Sequence, residues 1–323
     1  MKKILLVLPV VLLAISSCGP GRQKDEKTGS GSETKSLSGT ILVEGSQTLM
    51  PLMLKWQQEF KKSQPDVKFS VKPCSDGKSL KQLTGNKIQI AMISRKLTAD
   101  EVKTGFWAVS VAKDAVLPVV SFDNSNLQKI VLAGVTKDKL AKAFTGKIKT
   151  WGQLLQLKSN DPINVFKLSD TSDVSQSWAE FLNVGPTTFT GTEVYNQQDI
   201  PGRVAADKNG IGYCSITEIF NIQTGQKKRN LYVLPVDLNA NNQADDNELV
   251  FDKLDDVKNA VSTGKYPAPP ARELFLVCKS VPTDAVTVAF IKWVLTIGQN
   301  NCSEYGFVNI EKNQASAYLK QLK

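Results

Sequence analysis

From Thr40 to Arg95 the chain alternates strand-like and helix-like segments, and this alternation constrains the fold more than any other feature. Thr40-Ile41-Leu42-Val43 is a β-branched run. Leu49, Leu52, Met53, Trp56 and Phe60 then share one face of a helix predicted over Leu49–Lys62. Pro51 is tolerated in its first turn, and Trp56 reads as core. Gln64-Pro65-Asp66 stops the helix and Val67–Val71 alternates as a strand. A short helix passes through Leu80 and Leu83, and Lys87–Ile93 is the third strand. Further strands are predicted at Ala115–Val120, Ile163–Leu168, Ile211–Ser215 and Leu274–Cys278. Helical segments fall in Leu140–Leu154, broken at Thr145-Gly146, and over Val174–Leu182 and Val286–Leu295, before Gly298. Strands joined by helices build parallel sheets with helical crossovers, so the fold class is α/β.

The N-terminus stands apart from this pattern. Met1-Lys2-Lys3 is basic, and Ile4–Ile15 is apolar but too short to span a bilayer. Ile15-Ser16-Ser17-Cys18 resembles a bacterial lipobox, which implies a signal peptide over 1–17 and a lipidated Cys18. Residues 18–38 are rich in Gly, Ser, Lys, Glu and Thr without an aromatic, so they read as a flexible tether. Lys24-Asp25-Glu26 resembles a surface-export signal, against the plainer reading of a solvated charge run. The expected location is exported and lipid-anchored to a bacterial membrane, periplasmic or on the cell surface.

The formal charge is +9, which suits an anionic ligand or surface. The lysines are dispersed and no basic segment interleaves with aromatics, so nucleic acid is not an expected partner. Histidine is absent. That removes the commonest general base, Ser-His and Cys-His nucleophile pairs, and histidine metal sites. Cys74, Cys214, Cys278 and Cys302 permit disulfides in an exported protein, with no pairing specified.

Polar loops follow several of the strands. Gly45-Ser46-Gln47-Thr48 lies between the first strand and first helix. A helix N-terminus offers unpaired N–H groups and a positive dipole end, a glycine admits close approach, and hydroxyls rotate to suit. The loop is therefore either an anion seat or a simple helix cap. Ser75, Ser94-Arg95 and Ser172 occupy equivalent places after other strands, where α/β sheets gather ligands. Four such loops exceed what capping needs.

From about Gly39 to Leu322 the chain resembles the phosphate-binding proteins of bacterial ABC importers. Gly45-Ser46-Gln47-Thr48 matches their first motif, and Ile90–Leu97 with Glu101 a Ser-Arg-x-Leu segment. Ala112-Lys113-Asp114-Ala115 matches the first crossover between lobes. Phe144-Thr145-Gly146-Lys147-Ile148-Lys149-Thr150-Trp151 matches a Phe-x-Gly-x-Ile-x-x-Trp motif. Gly210-Ile211-Gly212-Tyr213 and Gly298-Gln299 with Tyr305–Val308 also match. The resemblance implies a two-lobed, type II periplasmic-binding-protein fold, each lobe a mainly parallel sheet flanked by helices. Lobe one would be 39–115 plus 235–323, and lobe two 116–234. The lobes would close on a ligand.

The implied ligand-binding residues are Gly45, Ser46, Gln47, Thr48, Ser75, Asp76, Gly77, Ser94, Arg95, Ser172 and Asp173, with Arg95 supplying charge unless it forms a surface ion pair instead. The chain departs from the family in the second lobe. Leu168 stands where the family carries Arg, and Ser172-Asp173-Val174 where it carries Ser-Gly-Thr. Asp173 either accepts a proton from a monoprotonated oxyanion or repels a fully ionised one. Lys167 points to the opposite face of its strand.

The function expected is a lipid-anchored, non-catalytic, monomeric receptor that delivers phosphate or a related oxyanion to an ABC permease. The alternative is a surface sensor or scavenger with a changed ligand, and an exported hydrolase comes last. Ser75-Asp76-Gly77-Lys78 and Lys103-Thr104-Gly105 fit penicillin-binding motifs in type but stand far too close together. No cofactor is required. Asp237, Asn239, Asn241, Gln243, Asp245 and Glu248 take the oxygen positions of an EF-hand-like loop, giving a candidate structural calcium site. The alternative there is an Asn/Asp-rich turn.

Overall fold

The computed structural model describes residues 36–323 apart from Val250. The predicted signal peptide, Cys18 and nearly all of the tether lie outside those residues. The first half supplies β1 (Gly39–Gly45), α1 (Met50–Ser63), β2 (Val67–Pro73), α2 (Asp76–Thr84), β3 (Ile90–Ile93), α3 (Ala99–Lys103) and β4 (Trp107–Ser121). Next come α4 (Leu127–Ala133), β5 (Val135–Thr136), α5 (Lys137–Phe144), α6 (Trp151–Leu155), β6 (Asn164–Lys167) and α7 (Asp173–Leu182). The remaining strands are β7 (Thr192–Glu193), β8 (Gly210–Ser215), β9 (Leu231–Val233), β10 (Val236–Asp237) and β11 (Ala271–Cys278).

The α1 stripe forms as its spacing predicts. Leu52, Met53, Trp56 and Phe60 are buried, Pro51 sits in the first turn, and Lys61 and Lys62 meet the negative end of the helix dipole. Trp56 is core, as its place in the stripe indicated, and its indole N–H donates to the Gly298 carbonyl at 2.8 Å. Phe60 packs edge-to-face on Phe69 and Phe290, at 6.2 and 5.3 Å between centroids. In the second half of the molecule Phe144, Trp178, Phe189 and Tyr213 form the corresponding aromatic centre.

The strands form a sheet in the order β2-β1-β3-β11-β4-β8-β6-β7, with β9 beside β4. Its two ends are parallel, β2-β1-β3 and β8-β6-β7. Its middle is not: β4 runs antiparallel to β11, β8 and β9, and β11 antiparallel to β3. The expectation of mainly parallel sheets therefore holds at the ends and needs correction at the centre. There the chain crosses between lobes and returns. β4 spans 15 residues, pairing with β11 over Trp107–Ala115 and with β8 and β9 over Val116–Ser121. One strand thus carries both apolar clusters, Val109, Val111 and Ala112 in the first and Ala115–Val120 in the second. Phe251, Leu254, Val257 and Tyr266 pack with the second cluster.

Candidate functional site

The C-terminal end of β1 delivers the Gly45–Thr48 loop to the cleft. Gly45 has φ +143°, and a Cβ there would run into the Met92 carbonyl oxygen. Ser46 N–H donates to that carbonyl at 2.8 Å. The close approach of β3 is by itself enough to require the glycine. Ser46 and Thr48 are buried and Gln47 is exposed. Leu49 is the N-cap of α1, and its N–H reaches the Ser46 hydroxyl only at 3.4 Å. The cap reading is therefore weak.

An anion does occupy this loop, and it belongs to the protein. Asp173, the first residue of α7, lays its Oδ2 between the Ser46 and Thr48 hydroxyls, which donate to it at 3.0 Å each. Its Oδ1 accepts from the Val174 N–H at 3.0 Å, at the positive end of its own helix. Burial pushes this carboxyl up, but the Arg272 charge and the hydroxyls of Ser94, Ser46 and Thr48 outweigh burial and hold it below the usual range. The Ser94 hydroxyl lies beside this carboxylate without a hydrogen bond of normal geometry.

Arg272 is the centre of the arrangement, and sequence reasoning missed it. It stands opposite Asp114 in the β11–β4 register. Its Nη2 donates to Asp114 Oδ2 at 3.1 Å, and also lies within donor distance of Thr48 Oγ1 (3.2 Å) and Ser215 Oγ (3.3 Å). Nη1 donates to the Asp173 carbonyl at 3.0 Å and stands 3.7 Å from its carboxylate. One guanidinium so joins β4 and the Gly45–Thr48 loop to α7 and β8. Burial raises Asp114 despite the arginine beside it. A signal was present: Asp114 and Arg272 each interrupt an apolar strand, and a buried charge needs a partner.

Asp76 opens α2 and borders the same two cavities as Asp173. Its Oδ2 accepts from the Ser94 N–H at 3.2 Å, while Oδ1 is buried without a partner. Burial, then the charge of Asp173, pushes it up to about 7, against the smaller opposing pulls of the Ser94 N–H, Arg95 and Arg272. The cleft thus holds two carboxyls driven apart, Asp173 ionised and Asp76 titrating near neutrality.

Arg95 is placed differently from the expectation. Its guanidinium grips Glu101 through two bonds of 2.8 Å and stands 3.8 Å from Asp76. Glu101 caps α3 through the Thr98 N–H, so the pair is anchored at both ends. Its charge is already matched. Ser75 and Gly77 are exposed, and a Cβ at Gly77 would meet nothing within 4 Å. Ser172 is half-buried beside Asp173. Leu168 is buried where a family arginine was expected, and Lys167 pairs with Glu193 at 3.1 Å on the other face.

Asp173 and Asp76 border two cavities. One, of about 390 Å³, lies on the Ser46, Cys74, Ser172 and Asn196 side. The other, of about 620 Å³, lies on the Ser94, Gln176, Tyr266 and Arg272 side.

The Asp237–Glu248 loop follows β10, away from these cavities. Asp237 accepts from the Asn241 and Asn242 N–H groups at 3.2 and 2.9 Å, and Glu248 from those of Leu238 and Asp245 at 2.7 and 3.1 Å. Asn239 and Asn241 donate side-chain amides to Asp245. Gln243 turns its N–H to Asn241. Among the described residues no group of three or more His, Cys, Asp or Glu is placed to hold a metal ion. Cys74, Cys214, Cys278 and Cys302 are free thiols. Among the described residues no helix is long and apolar enough to cross a membrane.

Two α/β lobes joined by crossing strands, with hydroxyls, carboxyls and a guanidinium converging between them, define a type II periplasmic-binding-protein fold. Residues 30–296 match the family model of a PBP superfamily domain, and the chain belongs to that family. It is 27% identical to the phosphate-binding protein PstS of Staphylococcus epidermidis, covering 100% of this chain and 94% of that protein. The PstS of Pseudomonas aeruginosa is 24% identical, covering 100% and 99%. A putative phosphate ABC transporter substrate-binding protein with bound phosphate from Clostridium perfringens superposes with a TM-score of 0.67 at 20% identity, over 84% of this chain and 100% of that one. An ABC-type phosphate transport receptor from Vibrio cholerae gives 0.65 at 18%, over 84% and 100%. The full-length relatives of this chain are phosphate-binding proteins, and with them the chain is grouped among binding proteins rather than enzymes.

Proposed function

We propose that this chain is the solute receptor of an ABC uptake system and captures phosphate or a related oxyanion between its lobes. The observation that carries the reading is the convergence of Ser46, Thr48, Ser94, Asp76 and Arg272 on one cleft, in a chain whose full-length relatives are phosphate-binding proteins. Hydroxyl and guanidinium donors replace hydration when an anion leaves water. The lobes are taken as 39–115 with 235–323, and 116–234. Lipid on Cys18 would tether an exported monomer to the membrane, within reach of its permease. Calcium in the Asp237–Glu248 loop would be structural and remote from the ligand.

Isothermal titration of the purified chain with inorganic phosphate tests the reading. One saturable site is expected, and absence of heat from a folded sample rules out inorganic phosphate as the ligand. A second reading, a surface sensor or scavenger with a changed ligand, draws support from Asp173 lying in the Ser46–Thr48 loop. It predicts that phosphate fails in a thermal-shift panel where another small molecule succeeds.

A further inference from the structure

The polar groups of the cleft that lack partners are not at the Gly45–Thr48 loop, where Asp173 already satisfies both hydroxyls. Three of them, Asp76 Oδ1, the Ser94 hydroxyl and Arg272 Nε, belong to residues that border the larger cavity; Gln197 Oε1 belongs to one that borders the smaller, and Asp114 Oδ1 lies in the pair with Arg272. The first three are almost wholly enclosed: Asp76 is 6% exposed, Ser94 1%, and the Arg272 side chain 6%. All three residues border the cavity of about 620 Å³, and only Asp76 also borders the smaller one. Buried donors and acceptors of this kind are normally met by ligand or ordered water.

Their chemistry describes the complementary group. Ser94 O–H and Arg272 Nε–H are donors and call for oxyanion oxygens. Asp76 Oδ1, once ionised, is an acceptor and calls for a hydroxyl. A phosphoryl group carrying one proton offers both. It also leaves most of the space empty. A bare tetrahedral oxyanion displaces two to three waters' worth of volume, ~60–90 Å³ at ~30 Å³ per water. The cavity is several times larger and falls within the range of organic-ligand pockets. It persists although the two lobes already touch through Asp173. Its lining includes apolar Val261, Tyr266 and Pro269 together with Gln176, Glu180 and Glu273.

We propose that the cleft takes a singly substituted phosphoryl ligand, a phosphate monoester or a phosphonate, with its organic group in the cavity bordered by Tyr266 and Gln176. This rests on the reading of the chain as an oxyanion receptor. The ligand oxygens meet Ser94 and Arg272, its hydroxyl meets Asp76, and its substituent covers the apolar part of the lining. Inorganic phosphate fits the polar end alone.

Isothermal titration of the full chain with inorganic phosphate, glycerol 3-phosphate, phenyl phosphate and ethylphosphonate tests this. At least one substituted ligand is expected to bind more than about tenfold more tightly than phosphate. The ester and phosphonate arms separate the two sources of the shared group. If phosphate equals or exceeds every substituted ligand, the substrate class is wrong and the phosphate-receptor reading stands. If none of them binds, both fall. Gln176 is exposed on α7 and borders only the larger cavity. Gln176→Trp should weaken the substituted ligand by about tenfold or more and leave phosphate within a few-fold. Unchanged affinity for the substituted ligand would place its organic group elsewhere and overturn the proposal.

Discussion

The Ser46 hydroxyl donates to the Asp173 carboxylate at 3.0 Å across 127 residues of chain, from the loop after β1 to the first turn of α7. Thr48 joins it at 3.0 Å. The helix N-terminus that presents Asp173 and the hydroxyls that receive it would each suit an anion from solution. Here they share one that is covalently part of the protein. The internal carboxylate has no translational entropy to lose, so a free oxyanion reaching the same hydroxyls must displace it.

Asp173→Gly should therefore open the Ser46–Thr48 loop to inorganic phosphate. The affinity for phosphate is expected to rise by about tenfold or more, with loss of the contact across the cleft. Titration calorimetry on both proteins reads this directly. A fall in affinity would instead make Asp173 part of the ligand's own recognition.

Arg272 and Asp114 form a cross-strand pair 158 residues apart in sequence, with the arginine side chain 6% exposed and the aspartate wholly buried. Arg272→Ala leaves Asp114 charged and unpaired in the interior, at a cost of about 3–5 kcal/mol. Arg272→Met combined with Asp114→Leu removes both charges and should recover most of that loss. Urea unfolding of the three proteins provides the comparison. A double variant no more stable than Arg272→Ala would show that the arginine's contacts to Thr48, Ser215 and the Asp173 carbonyl carry the stability instead.

The local part of this architecture was written in spacing. The α1 stripe foretold a helix one residue from its observed bounds, because burial of Leu52, Met53, Trp56 and Phe60 is decided by period alone. Strand direction was not legible: β4 and β11 are apolar runs like the others, and only tertiary pairing makes them antiparallel. The cleft was half legible. Loops after strands brought Ser46, Asp76, Ser94 and Asp173 to one cleft, as strand ends do in such sheets. Arg272 escaped because its partner lies 158 residues away, and the demand that Met92 places on Gly45 comes from a strand that only the tertiary fold brings near. For Arg95 the sequence left a ligand contact and a surface ion pair both open, and Glu101, six residues on, holds it through both nitrogens.

That claim makes its own prediction. Arg95→Ala should change phosphate affinity by less than about threefold, because the guanidinium is already neutralised by a bidentate carboxylate. Titration calorimetry again decides. A loss beyond about tenfold would mean that Arg95 leaves Glu101 and turns to the ligand on binding.

The Asp237–Glu248 loop provides a test independent of the cleft. Its carboxylates are met by backbone N–H groups, and Ala240 and Asn242 adopt positive φ of 59° and 61°. If calcium also binds there, saturating Ca²⁺ should raise the melting temperature over an EDTA control, and Glu248→Gln should abolish the difference. Identical melting curves with Ca²⁺ and EDTA would leave the loop as a turn held by its own hydrogen bonds.

Asp76 should make stability fall as pH rises toward neutrality. In the folded chain it titrates at about 7, against an ordinary value of 3.8, because it is buried beside ionised Asp173 with Arg95 and Arg272 only partly compensating. The native state therefore keeps this proton over a range where the unfolded chain has lost it. By linkage, a native state that binds more protons loses stability with rising pH, and the loss runs from about pH 4 to about pH 7. At 1.36 kcal/mol per unit it amounts to at most about 4 kcal/mol. Asp76→Asn keeps an acceptor for the Ser94 N–H and removes the titration. Urea midpoints measured from pH 5 to pH 8 should fall for the wild type relative to Asp76→Asn. Parallel profiles would mean that Asp76 ionises without cost, and that the cavity around Ser94 admits enough water to solvate it.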